Sequence, residues 1–424
     1  MKSLLTFFAA GSLLAALVQA QPHFKVTDLG VVGPAGQPFV VANQGLIGGA
    51  ATFPDKTLHA VVWFAGEEVD IATPGLKGIN SQAIGVNQRG QIVGESGTQT
   101  IDPNGEDFCG FAALGLPASG QTCVPFLWEY GVMTPLPKSG NNGVANSVNN
   151  RGEVAGTEET GTADPNCPSG GPQKFQFKPV VWINGQPQQL PTYSGDTDGI
   201  AMAINDKGQV VGGSGDCSAF NPIAETNLLP LHAMLWEDGV PVDLGNLGGT
   251  GHGNGIEAVN LNNHGQVVGN SDVKGDANFH GFLWSTEKGM RDLGTLPGDA
   301  NSLAISINDA GDVVGVSLDA NFNPRAFFLQ NGTMSDLNTL IPAGSALFLI
   351  TACSINASGE IIGIAVDDSG NFHGYLAAPV RRDPVSEASS TAPQSAATPM
   401  VLPEDVRRTI RVRFPGQAAS PKHW

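Results

Sequence analysis

Three observations predict an all-β fold, a seven-bladed β-propeller of four-stranded blades. A strand-turn phrase recurs along the chain, the last repeat lacks its final strand, and a matching strand stands alone before the first repeat. Composition agrees: of 424 residues 56 are Gly and 29 Pro, and only 14% are charged. That balance suits short strands joined by tight turns and excludes a helical bundle with charged faces. A net charge of -18 repels phosphate backbones, so no nucleic-acid partner is expected.

The first two strands of each repeat form a hairpin. Its phrase reads Val86-Asn87-Gln88-Arg89-Gly90-Gln91-Ile92-Val93-Gly94 and returns at Val148-Asn149, Ile204-Asn205, Leu261-Asn262, Ile307-Asn308 and Ile355-Asn356, with a shorter copy at Asn43-Gln44-Gly45. Asn opens a turn because its side chain bonds backbone two residues on, and Gly closes it because it tolerates a left-handed conformation. A third strand follows, as in His59-Ala60-Val61-Val62-Trp63 and His280-Gly281-Phe282-Leu283-Trp284. The fourth is seen in Gly289-Met290-Arg291-Asp292-Leu293-Gly294. The seventh repeat stops near Leu376, whereas Phe24-Lys25-Val26-Thr27-Asp28-Leu29-Gly30 precedes any hairpin. Pairing this N-terminal strand with the last repeat closes a ring and removes the edges an open array would expose.

These segments resemble the HAF-repeat extracellular proteins, in which a His-Ala-Phe-like strand is coupled to Ile-Asn-x-x-Gly-x-Val-Val-Gly and Asp-Leu-Gly. The resemblance spans roughly residues 24 to 379 and implies a secreted or surface-associated propeller, without an agreed reaction or catalytic residues. The chain departs from the pattern at Val124, Lys178 and Arg325, which replace the repeat His.

Around the propeller, residues 21–379, the ends have a different character. Lys2, the apolar stretch Leu4 to Val18 and Val18-Gln19-Ala20 have the proportions of a signal peptide over residues 1–20. No later segment is long and apolar enough to span a membrane. An exported chain, extracellular or periplasmic, meets oxidising conditions, so Cys109 is expected to pair with Cys123 and Cys167 with Cys217, leaving Cys353 as a buried free thiol. Residues 380–424 form a Ser/Ala/Thr/Pro linker and a basic tail with Arg407, Arg408, Arg411 and Arg413. The chain is expected to be a monomer.

Strand order places the Asn-x-x-Gly turns on one face and the inter-repeat links on the other, together with insertions at about residues 96–122, 157–176 and 213–230. Long connections on a rigid scaffold are where binding resides. The loops carry Asp102, Glu106, Asp107, Glu158, Glu159, Asp164, Asp216 and Glu225. Ligand-binding candidates are Asn141, Tyr193, Asp198, Phe220, His252, Asn254, Asp299 and Asn301. No cofactor is called for, although Ca2+ is an ion the loop carboxylates could hold.

Neither a Gly-x-Ser-x-Gly elbow, a His-Glu-x-x-His helix nor a Walker loop is present. The recurrent Ser96, Ser214, Ser271 and Ser317 are too evenly repeated to be nucleophiles, and His59, His232, His280 and His373 begin third strands in separate blades, which suits hydrogen bonding better than one metal. Three functions stay open. The first is a secreted non-catalytic module binding a glycan or protein through the insertions of repeats two to four. The second is a carbohydrate-active hydrolase or lyase using Asp164, Asp196, Asp198 or Asp216. The third is a structural surface or matrix protein attached through its tail.

Overall fold

The computed structural model describes residues 23–380 apart from 34, 73–75, 112–113, 115, 118–119, 168–172 and 218–228. The expected signal segment, the basic tail, Phe220 and Glu225 lie outside the described residues. Seven antiparallel four-stranded sheets make up the fold. Blade 3 consists of Gly143–Val148, Val154–Ala163, Phe175–Ile183 and Gln186–Gln189 in that spatial order. Blades 1, 2, 4, 5 and 6 repeat the plan over 37–70, 81–135, 198–243, 256–292 and 301–336.

Blade 7 is assembled from both ends of the described chain: Leu347–Ile355, Ile361–Asp367 and Phe372–Pro379 are completed by Phe24–Val31. The register runs from Phe24 opposite Pro379 to Val31 opposite His373. First strands of neighbouring blades touch around the whole circle, including blade 7 against blade 1, so the ring is closed. Fourth strands form the rim, where Val240–Asp243 is exposed throughout.

Each core lies between consecutive blades. Val93 of blade 2 packs with Ala145, Val148, Val154, Val180 and Trp182 of blade 3, and Ile350, Ile362 and Ile364 of blade 7 pack with Val41, Ile47 and Trp63 of blade 1. The first strand of every blade carries a bulge, for example between Ala145 and Ser147. It brings a carbonyl against the second strand, and a Cβ added at Gly156, Gly269 or Gly315 would lie 1.9–2.0 Å from that oxygen. The last Gly of the repeated phrase is therefore fixed by space. A third-strand aromatic covers it: Phe282 lies directly opposite Gly269, and Phe327 opposite Gly315.

The insertions contain more strand than expected. Second and third strands of blades 2 and 3 extend to Ile92–Ile101, Gln121–Glu129, Val154–Ala163 and Phe175–Ile183. Disulfide Cys109–Cys123 closes the blade 2 insertion, and Cys167–Cys217 ties the insertion of blade 3 to that of blade 4. Cys353 belongs to neither disulfide and is half-buried, where full burial was expected, with its sulfur beside the Thr351 hydroxyl. Among the described residues no helix is long and apolar enough to cross a membrane.

Candidate functional site

The channel opens on the face of the short turns into a cavity of about 210 Å³, lined by the ends of all seven first strands. Its rim is built from the repeated Asn. Asn149 Oδ1 accepts the Arg151 and Glu153 amides, as a turn-opening Asn should. Its other side-chain atom does something that local turn chemistry does not require: Nδ2 donates to the Asn205 carbonyl of the next blade at 3.0 Å. The same bond runs from Asn87 to Asn149, Asn205 to Asn262, Asn262 to Asn308, Asn308 to Asn356 and Asn356 to Ala42. Blade 1 has Ala42 where the others have Asn, and Gln44 Nε2 closes the belt by donating to Asn87 O. A second tier is formed by Gln88, Asn150, Asp206, Asn263 and Asp309, which bond blade to blade through backbone N–H and side-chain oxygen. Most of this polarity is thus used to hold blades together.

The opposite face carries the inter-blade links and insertions. Here a side chain at the start of a first strand reaches the preceding blade: Asn80, Asn142 and Asn301 accept the amides of Leu58, Cys123 and Phe279. Asp198 occupies the same place in blade 4 and accepts from the Phe177 amide at 2.6 Å. It is fully buried. Burial, reinforced by contact with the Asp164 carboxyl, pushes Asp198 up to about 8. Asp164 follows the Asp-Pro-Asn pattern also seen at Asp102-Pro103-Asn104. Asp102 Oδ1 accepts the Asn104 and Glu106 amides, while Oδ2 accepts from Asn142 Nδ2 at 2.8 Å. Beside it lie Glu106 and Glu159, both buried, and burial followed by the neighbouring Glu159 pushes Glu106 up to about 9.

The other predicted residues divide by exposure. Asn254 is buried and donates from both its backbone and its side chain to Asp272. Asn301 is buried in its inter-blade bond, and Asp299 pairs with Arg325 at 2.8 Å. Asp216 is half-buried at the end of its strand. Three reach solvent. Asn141 is partly exposed beside Glu159, to which its amide donates, and His252 is exposed on the blade 4–5 link. Tyr193 is 36% exposed and stacks on His232 with ring centroids 3.8 Å apart. Asp196 holds His232 Nδ1 at 3.0 Å, so it anchors this aromatic pair.

The repeat histidines are clasps between strands. His59, His280 and His373 meet Asp70, Asp292 and Asp28, the Asp of the fourth strand in each blade. Asp28 belongs to the closing N-terminal strand, so one clasp spans the ring closure. Arg325 makes the equivalent contact with Asp336. The recurrent serines are structural too: Ser214, Ser271 and Ser317 are buried and accept the amides of Tyr193, Leu247 and Leu296 from the preceding link. Glu95 lies against Cys109 and Cys123, but those sulfurs are bonded to each other and are not thiolate ligands. Sequence reasoning missed the amide belt and the Glu106–Glu159 contact; the belt alone left a trace, in the pairing of Ala42 with Gln44.

No protein-family model matches the chain, and no curated protein matches it. Solved structures to which it is similar include TolB from Acinetobacter baumannii, with 10% identity and a TM-score of 0.33 over 82% of this chain and 55% of that one. They include the sialidase of Trypanosoma rangeli in complex with the inhibitor DANA, with 10% identity and a TM-score of 0.35 over 84% and 55%. Aleuria aurantia lectin in complex with Fucalpha1-6GlcNAc shows 6% identity and a TM-score of 0.33 over 80% and 90%. The chain spans about half the length of the TolB and sialidase chains.

Proposed function

We propose that the protein is a secreted, non-catalytic binding module that recognises an extracellular glycan through the insertion face of blades 3 and 4. The observation that carries this reading is the Tyr193–His232 stack. It is a partly exposed aromatic surface whose imidazole is held at its ring edge by Asp196. A rigid aromatic face packs against the C–H face of a sugar, and the flanking carboxylates and amides accept and donate to its hydroxyls. The two disulfides fit an oxidising compartment.

The geometry of the acidic candidates favours binding over hydrolysis. A glycosidase pair stands roughly 5–9.5 Å apart with the sugar between its members. Asp164 and Asp198 are in side-chain contact and buried, and Asp196 is engaged by His232. The test is incubation of the full chain with a panel of soluble and insoluble polysaccharides, scoring both depletion of protein and release of sugar. Depletion without products that weakens about tenfold in Tyr193→Ala supports the reading, a loss of about 1.4 kcal/mol. Product release assigns an enzyme instead, and retention unchanged by the substitution moves the ligand to the channel mouth.

A further inference from the structure

We infer that Asp102, Glu106 and Glu159 form a site for one Ca2+ that locks the blade 2 insertion to blade 3. Their ligand oxygens all lie within 4.8 Å of one another, a spacing that suits shared ligation at about 2.3–2.6 Å. An all-oxygen set selects a hard cation. A second observation is independent of the clustering: Glu106 Oε2 and Glu159 Oε1 are buried and have no hydrogen-bond partner, although the opposite oxygens of the same groups are satisfied by the Lys174 amide and by Asn141 and Asn142. Each glutamate is thus held by one oxygen and presents the other, unsatisfied, at the cluster. Buried acceptors of this kind are costly unless something fills the gap.

The neighbouring blade junction supplies an internal control. There the contact is between two buried carboxyls, Asp164 and Asp198, rather than three. At the blade 2–3 junction the residue equivalent to Asp198 is Asn142, whose amide already donates to Asp102. Two glutamates are added there. The charged groups facing the cluster are Lys138, half-buried, with Glu158, whose carboxylate is occupied by Ser139 and Gln189. Lys138 Nζ donates to the carbonyls of Gly140 and Asn141 and makes no bond to the three carboxylates. The carboxyl groups gathered here outnumber the one ammonium that faces them, and a divalent cation bound to the unsatisfied oxygens offsets that excess. The buried setting leaves little room for the waters Mg2+ retains, which favours Ca2+.

The test is calorimetric titration of CaCl2 into the EDTA-treated full chain at neutral pH, with thermal unfolding alongside. The expected result is one Ca2+ per chain, an unfolding temperature that rises with calcium, and affinity for MgCl2 at least tenfold weaker. Glu106→Gln and Glu159→Gln should each weaken binding at least tenfold, whereas Asp198→Asn should retain it. No heat and no thermal shift with the unsubstituted chain at millimolar calcium, or full retention in either glutamine variant, would overturn the assignment. None of these readouts uses a glycan, so failure here is separable from failure of the Tyr193 reading.

Discussion

Replacing Asp198 by Asn should stabilise the protein at alkaline pH. The side chain sits where blades 2, 3 and 6 have Asn80, Asn142 and Asn301, and all four accept a backbone amide of the preceding blade. Its carboxyl is raised from 3.8 to about 8, chiefly by burial and next by Asp164. The folded state therefore binds a proton that the unfolded chain has lost. Stability from this group is fully present below about pH 4 and drains away as pH rises to about 8. Four pKa units at 1.36 kcal/mol each set an upper bound of about 5 kcal/mol. In the variant, Nδ2 would meet Asp164 Oδ2, which has no partner, and Gln173 must reorient because its amide now donates to Asp198. Reorientation costs about one hydrogen bond, ~1 kcal/mol, so the charge effect dominates once Asp198 ionises. Urea unfolding at pH 5 and pH 8.5 in EDTA measures this directly. The variant should match the parent near pH 5, lose about 1.4 kcal/mol less per pH unit, and exceed it at pH 8.5. Parallel stability curves would refute the assignment of a buried proton to this site.

Three further substitutions probe the frame. Arg325→Ala strips the cation from between buried Asp299 and Asp336 and should cost about 3–5 kcal/mol in chemical denaturation, with partial recovery in Arg325→His, the residue other blades use. Gly269→Ala places a methyl 2.0 Å from Glu257 O and against the Phe282 ring, so it should cost at least ~3 kcal/mol or prevent folding, as judged by soluble yield and urea midpoint. Replacing Cys167 and Cys217 by Ser opens a 50-residue loop and should lower stability by about 2–4 kcal/mol, measured against reduction of the parent.

The architecture was legible because seven imperfect copies correct one another. No single strand is compelling, but the Asp-Leu-Gly segment at Asp28 and its absence after Leu376 specify the closing pair, and the His373–Asp28 contact reproduces His280–Asp292 across the seam. Other features depend on information that a local reading lacks. Asn149 reads correctly as a turn residue through Oδ1, whereas its Nδ2 bond requires knowing what the next blade places beside it. Asp198 reads as a loop carboxylate because nothing in its flanks reveals that it faces a neighbouring sheet. The insertions hold less loop than their polarity suggests: Thr157 to Ala163 is mostly polar, yet it continues its strand by pairing with the Phe175–Ile183 strand. Polar insertions hide their pairing because their partner, rather than a hydrophobic face, defines the register.

Polysaccharide depletion by the full chain, run beside Tyr193→Ala with sugar release scored in the same tubes, tests the account most directly. It predicts capture of a glycan without products and about tenfold weaker capture by the variant. Release of sugar, or capture indifferent to Tyr193, would contradict it.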